Sequence, residues 1–326
     1  MTLSPVLRHV IEAIAPASEA HRRAALRLLA EAGPLFDRLG GQLAAAQHAA
    51  PHARRRTLVI AAGDHGAGDP GVALGADHPT VVAARAIHDG SAAVRHLARR
   101  ARAEVLLVDC GCAESALLPP STVALGRGPS GDARAAAALT PLEVTAALEA
   151  GVAVALSLLD GGTDVLALGH LGLGAEISAA SVVGALLDPT LAPPHERSYA
   201  ELARREAERA PLSPLDVLAA FGGPETAALA GLTLAAASLR VPVVLDGEAT
   251  AVAALLAARL APPVTGYLIA SQRGDGCLPA LLDALELPAV FSGGVGHGEG
   301  AAAAMVLGLI DQVIDWTAER SPGSDA

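Results

Sequence analysis

The chain has 326 residues, 34 of them acidic and 23 basic, for a formal net charge of −11. Every basic residue is arginine, and the sequence contains neither Lys nor Asn, which excludes Schiff-base lysines, lysine general bases and a Walker-type phosphate lysine. The acidic balance, with only 2% aromatic residues, argues against a nucleic-acid surface, which needs a basic stripe and stacking rings.

The first 50 residues carry no strand signal. Arg8–Ile14, Glu19–Glu31 and Leu35–His48 read as helices. We expect them to form a small helical domain (1–50) together with the last helix (about 300–326), joined through Trp316. Residues 51–299 then form the larger domain that carries the site. There, short apolar runs recur: Thr57–Ala62, Glu104–Asp109, Asp164–Leu168, Val241–Asp246, Gly266–Ala270 and Ala289–Ser292. They are continuous rather than alternating, which suits strands covered on both faces. Ala-rich helical stretches lie between them: Thr80–His88, Ala92–Ala101, Pro141–Leu158, Glu225–Ser238, Glu248–Leu260, Leu278–Leu285 and Gly300–Trp316. Strand and helix alternate, which predicts an α/β fold with a doubly wound, mostly parallel, Rossmann-like sheet. Pro189–Pro214 reads as an excursion between the halves, with a helix near Tyr199–Glu208.

Mean hydropathy is high at +0.43. Charged residues and prolines nevertheless interrupt the apolar stretches, and no clean membrane span is expected; the nearest, Ala146–Leu159, is cut by Glu149 and Asp160. No signal peptide is read at the N-terminus, so a cytoplasmic protein is expected. Cys110, Cys112 and Cys277 read as small buried or strand-end residues, and no metal site is expected.

In a doubly wound sheet, ligands bind beyond the carboxyl ends of the strands. The polar residues there are the candidates. AAGDHG after the first strand offers Asp64 and His65; a tight turn capped by the Asp is the alternative. DCGC follows the second strand, where Asp109 reads more simply as a turn or helix cap. GHLGLG places Gly169, His170, Gly172 and Gly174 after the third strand, where backbone N–H groups and a helix N-terminus favour an anion. Glu176, in the first turn of that helix, would compete with a phosphate. Asp246 and Gly247 close the next strand. Gly293–Gly300 (GGVGHGEG) surrounds His297 and Glu299 with glycines; a partly desolvated carboxylate there could serve as a general base, or simply favour the helix dipole.

The order of these motifs resembles the nicotinate-nucleotide–dimethylbenzimidazole phosphoribosyltransferases of cobalamin nucleotide-loop assembly. AAGDHG, Gly90–Val94, VLLVDCG, GHLGLG, Phe221–Ala237 (FGGPETAALAGLTLAAA), Pro242–Gly247 (PVVLDG) and GHGEG follow one another between about Leu35 and Trp316. The resemblance implies a Rossmann-like domain with a small helical domain, a homodimer, and no metal or organic cofactor. It implies transfer of phosphoribose from nicotinate mononucleotide to a benzimidazole nitrogen, with Glu299 taking the imidazole proton. It also implies small-molecule substrates, a nucleotide and an aromatic base, held by the loops of Asp64, His65, Gly169, His170, Gly172, Gly174, Asp246, Gly247, Arg273 and His297.

Several positions depart from the family pattern. Its glycine loop carries Glu where this chain has His170, and Asn-Thr-Thr where this chain has Ala175, Glu176 and Ile177. On the base side, Ala73 and Val82 replace a Ser and a Gln, and Pro34, Leu35 and Phe36 replace Ser-Leu-Gly. A His-rich stretch is reduced to Ser271, Gln272 and Arg273, so Arg273 or His170 would supply phosphate contacts. Two readings follow: an active transferase of this family, or a non-catalytic paralogue that pairs with an intact relative or binds a nucleotide or base.

Overall fold

The computed structural model describes residues 1–66, 71–120, 122–125, 128–296 and 298–320. Three helices come first: α1 (Pro5–Glu12), α2 (Glu19–Leu28) and α3 (Pro34–Gln47). The alternating part runs β1 (Arg56–Gly63), α4 (Pro79–Asp89), α5 (Ala93–Arg100), β2 (Ala103–Gly111), β3 (Val123–Ala124), α6 (Pro141–Asp160), β4 (Val165–Leu171) and α7 (Ala175–Leu186). It continues with α8 (Arg197–Arg209), α9 (Pro214–Phe221), α10 (Pro224–Ser238), β5 (Val243–Leu245), α11 (Glu248–Leu260), β6 (Leu268–Gln272), α12 (Leu278–Ala284), β7 (Ala289–Phe291) and α13 (Ala301–Glu319).

The strands form one seven-stranded sheet in the order β3-β2-β1-β4-β5-β6-β7. Every pairing is parallel. Six strands coincide with the apolar runs read from sequence. The two-residue β3 is an addition, too short to leave a pattern. Order reverses between β1 and β4, so the crevice at their carboxyl ends is the topological switch point.

The strands are apolar on both sides because two cores sandwich them. Val59, Ala61, Leu166 and Leu168 face a core shared with α1, α6, α7, α9, α10 and α11. Leu58, Ile60, Ala62, Val165 and Ala167 face a second core shared with α2, α3, α4, α5 and α13. The terminal helices therefore pack onto these layers, and the Phe36 and Trp316 rings meet edge-on at 6.1 Å, joining α3 to α13.

With few aromatics, close packing falls to Ala and Gly. A Cβ on Gly151 of α6 would stand 1.8 Å from the Ala228 carbonyl of α10, and one on Gly231 of α10 would stand 2.0 Å from that of Leu148, so the two helices touch backbone to backbone. Helix α10 is buried along nearly its whole length, from Pro224 to Ala237.

Contrary to the expectation of no clean span, α6 and α13 are each long and apolar enough to cross a membrane by length and composition. Glu143 and Glu149 do not offset the hydropathy of the rest of α6. Both helices have a face in the cores: Val144, Leu148 and Val152 on one side of the sheet, Val306, Leu307 and Ile310 on the other.

Candidate active site

Asp64 follows β1 and is buried, with both carboxylate oxygens spent on other loops. Oδ1 accepts the Thr80 hydroxyl (2.6 Å) and the Leu173 N–H (3.0 Å), and Oδ2 accepts the Ala113 N–H (2.9 Å). One side chain thus fixes the loops after β1, β2 and β4 and the start of α4.

Its neighbour His65 turns the other way. Nε2 lies 3.0 Å from Glu225 Oε1, and Nδ1 lies 3.2 Å from the Ser130 hydroxyl. Glu225 opens α10, is fully buried, and also accepts the Thr226 hydroxyl at 2.7 Å. Burial works against charge on both partners, but each is the other's counter-charge. Glu225 outweighs burial and holds His65 above its ordinary value, helped by Glu176 and Asp64. The Glu225 carboxyl is kept well below the usual range against its own burial, chiefly by the charge and hydrogen bond of His65. The pair is a buried imidazolium–carboxylate beneath the switch point.

His170, the penultimate residue of β4, lies close enough to feel this pair. Its ring is pushed down by burial, which outweighs the attraction of Glu225, and is therefore neutral at pH 7. His170 Nε2 and Glu225 Oε2 are both buried without a hydrogen-bond partner among the described residues.

The carboxyl ends of β1 and β4 approach closely. A Cβ on Gly172 would stand 1.8 Å from the Gly63 carbonyl, and its φ of +151° suits glycine alone. Gly174, at φ +82°, is the N-cap of α7. The described residues of a third loop, 292–296 and 298–300, lie over these ends and are stitched at three points. The His170 N–H donates to the Gly298 carbonyl at 2.8 Å. The Gln272 amide accepts from the Val295 and Gly296 N–H groups and donates to the Gly296 carbonyl at 3.1 Å. Asp246, 1% exposed, accepts the Gly300 N–H on Oδ2, and on Oδ1 the Ala303 N–H at 3.2 Å and the Ser271 hydroxyl at 3.3 Å. Burial raises the Asp246 carboxyl to about 6, even though these donors favour its charge.

Glu299 sits in this pinned loop, half-buried, immediately before the N-cap of α13. Its backbone rests on β4, where a Cβ on Gly169 would stand 2.6 Å from the Glu299 carbonyl. Gly247 lies against Gly298 in the same way, at 2.7 Å. His297 lies outside the described residues. Arg273 is turned elsewhere: its guanidinium forms a forked pair with Asp283 of α12, at 2.8 and 2.9 Å, and does not line the cavity described next.

Beside the loop is a cavity of about 430 Å3, lined among others by His170, Gly172, Glu176, Glu196, Glu248 and Gln272. Its size falls in the range of small-molecule sites, about 300–1,000 Å3. Among the described residues no arginine lines it. Glu248 opens α11 and is pushed up to about 7 by burial, with Glu196 and Glu176 adding repulsion. Glu196 is raised by burial and by Glu176, against the pull of His195.

Sequence reasoning did not single out Glu225, Glu196 or Glu248. Glu225 left a signal, since an acid in an otherwise apolar helix needs a buried partner. Glu196, inside a Pro-rich charged excursion, left none.

A model of the phosphoribosyltransferase family matches residues 12–326. The chain is 31% identical to the nicotinate-nucleotide–dimethylbenzimidazole phosphoribosyltransferase of Desulforudis audaxviator (strain MP104C), over 98% of this chain and 97% of that one. The chain belongs to the nicotinate-nucleotide–dimethylbenzimidazole phosphoribosyltransferase family. The family enzyme of Roseiflexus sp. (strain RS-1) is 35% identical, over 79% of this chain and 78% of its own. The crystal structure of CobT from Thermus thermophilus superposes with a TM-score of 0.79 at 28% identity, covering 91% of this chain and 95% of that one. The parallel α/β sheet is thus the family's fold, and the protein is a phosphoribosyltransferase.

Proposed function

We propose that the protein moves phosphoribose from nicotinate mononucleotide to dimethylbenzimidazole or a related base, giving α-ribazole phosphate and nicotinate. A ring nitrogen of the base attacks C1′ of the donor. The C1′–pyridinium bond breaks, its electron pair returns to the pyridine nitrogen, and nicotinate leaves. Glu299 takes the proton from the other imidazole nitrogen. The observation that carries this reading is the placement of Glu299. Its loop is held by His170, Gln272 and Asp246 at the carboxyl ends of the strands, beside a small-molecule cavity. A base must be positioned before its pKa matters, and three independent anchors supply that positioning.

The remaining site residues take supporting roles. Asp64 fixes the surrounding loops, and His65 with Glu225 stiffens the wall behind His170. Gly169, Gly172, Gly174 and Gly247 let backbone approach backbone and ligand. Nothing in the fold or among the relatives favours a non-catalytic role.

The test is incubation with nicotinate mononucleotide and dimethylbenzimidazole, followed by chromatography for α-ribazole phosphate. Glu299→Gln should cut turnover by about 10²–10⁴-fold with the fold unchanged. Absence of both product and released nicotinate from the wild type would overturn the reading; an unchanged rate in the variant would remove Glu299 as the base. A homodimer is expected from the family resemblance, and sedimentation velocity checks it.

A further inference from the structure

The cavity presents a conflict. It must take an anionic donor, yet Glu176, Glu196 and Glu248 face it together and no described arginine does. Glu196 sharpens the point. It is 6% exposed; its Oε1 meets His195 Nε2 at 3.1 Å, and its Oε2 is buried with no partner among the described residues. A carboxylate only accepts hydrogen bonds, but a protonated carboxyl also donates one. Glu196 is a residue of the cavity wall, and its second oxygen, enclosed and without a partner among the described residues, leaves the carboxyl able to turn a donor toward a ligand.

We propose that Glu248 and Glu196 hold the anionic end of the donor as neutral carboxylic acids, so that donor binding takes up a proton. This rests on the donor reading given above. The groups facing Glu248 are Glu176 from α7, His195 and Glu196 from the segment before α8, His170 from β4, and Asp275 and Cys277 from the segment before α12. Cys277 contributes its N–H, which donates to Glu248 Oε1. His170 is uncharged and His195 is committed to Glu196, so no cation among these groups offsets the incoming charge. Burial has already brought Glu248 to about 7, so the proton is available near neutrality. An approaching anion raises both carboxyls further, because like charge disfavours ionisation. The sign follows: donor binding is strong below about pH 7 and weakens as pH rises through it.

Calorimetric titration of the full-length protein with nicotinate mononucleotide at pH 8, in two buffers of different ionisation enthalpy, reads the proton count. The phosphate is already dianionic there. The wild type should take up between about one and two protons, and Glu248→Gln about one fewer. Correspondingly, donor KM should rise by about tenfold or more per pH unit above pH 7 in the wild type, and less steeply in the variant. Glu196→Gln is the second probe, with the same direction expected. Zero uptake by the wild type, or undiminished uptake in both variants, overturns the proposal. Proton-linked binding without turnover would refute the reaction alone, turnover without proton uptake would refute this proposal alone, and no donor binding between pH 5.5 and 8.5 would refute both.

Discussion

Replacing Asp246 by Asn removes one charge and one acceptor from beneath the Glu299 loop. Two opposing terms set the effect on stability. Burial lifts the carboxyl from 3.8 to about 6, so keeping it ionised at neutral pH costs about 3 kcal/mol. Asn escapes that cost. Against this, the carboxylate satisfies the Gly300 and Ala303 N–H groups on its two oxygens, and Asn has only one acceptor for them. Losing one charge-assisted hydrogen bond and leaving one donor unpaired costs about 1.5–3 kcal/mol. The terms nearly cancel. Stability should change by less than about 2 kcal/mol, and Tm by less than about 8 °C. Activity has no such compensation. Gly300 adjoins Glu299, and a 1 Å displacement of a catalytic group costs about 10²-fold. kcat/KM should fall by about that factor. The pH profile gives an independent check. A carboxyl raised by folding contributes stability below its unfolded value near 3.8 and loses it as pH climbs through about 6. Wild-type melts should therefore lose stability from this residue between pH 4 and 7, and Asp246→Asn melts should be flatter. Wild-type kcat/KM in the variant, or a loss above about 5 kcal/mol with an unchanged pH profile, would refute the reasoning.

Gly172→Ala places a Cβ 1.8 Å from the Gly63 carbonyl at φ +151°, so β1 and β4 must part; denaturant unfolding should show a loss of about 3 kcal/mol or more. Glu225→Gln strands the His65 imidazolium opposite a neutral amide and should cost about 3–5 kcal/mol at pH 6. In that variant the His65 ring, followed by NMR, should titrate below its wild-type value, because only the weaker attractions of Glu176 and Asp64 then oppose burial. The wild-type pair is bounded on both sides: its stabilisation is lost in strong acid as Glu225 protonates, and lost again as pH rises through the raised His65 value.

Most of the sheet was legible because parallel strands buried on both faces must be continuously apolar. β1 illustrates this, with all eight residues buried. β3 was not, since two residues paired to Val108 and Asp109 carry no periodicity. The start of α7 was read at Glu176 but not its extent, and α9 was not read as an element, for different reasons. α7 is apolar nearly all round, so it has no amphipathic stripe, and α9 is a short helix set by the Ser213–Asp216 capping box after a proline-rich stretch. At the site, the glycines and strand-end carboxylates stood out, but their partners could not. Asp64 binds residues 16, 49 and 109 positions away, and Asp246 binds one 54 positions away. Such distances are decided only by strand order.

That strand order also divides the carboxylates by role. Asp64 and Asp246 directly follow strands, where loops converge and unpaired N–H groups are dense, so their oxygens are taken by backbone and hydroxyl donors. Glu176 and Glu248 begin helices α7 and α11 instead, one turn further from the sheet, where the chain diverges and leaves the cavity. Asp64 and Asp246 are therefore consumed in building the site, whereas Glu176 and Glu248 are left to meet the ligand; Glu225, which also opens a helix, is instead buried against His65. Both kinds follow an apolar run in sequence by only a few residues. The difference decides chemistry: Asp246 must stay charged to hold the Glu299 loop, whereas on the proposal above Glu248 must lose its charge to admit an anion. Asp246, at about 6, and Glu248, at about 7, therefore titrate in overlapping ranges with opposite requirements. Donor capture should accordingly peak between pH 6 and 7, falling on the acid side as Asp246 releases the loop and on the alkaline side as Glu248 ionises. A wild-type kcat/KM for the donor that rises steadily from about pH 6 to 8 would show that Glu248 does not control it, and one that is flat from about pH 5 to 7 would show the same of Asp246.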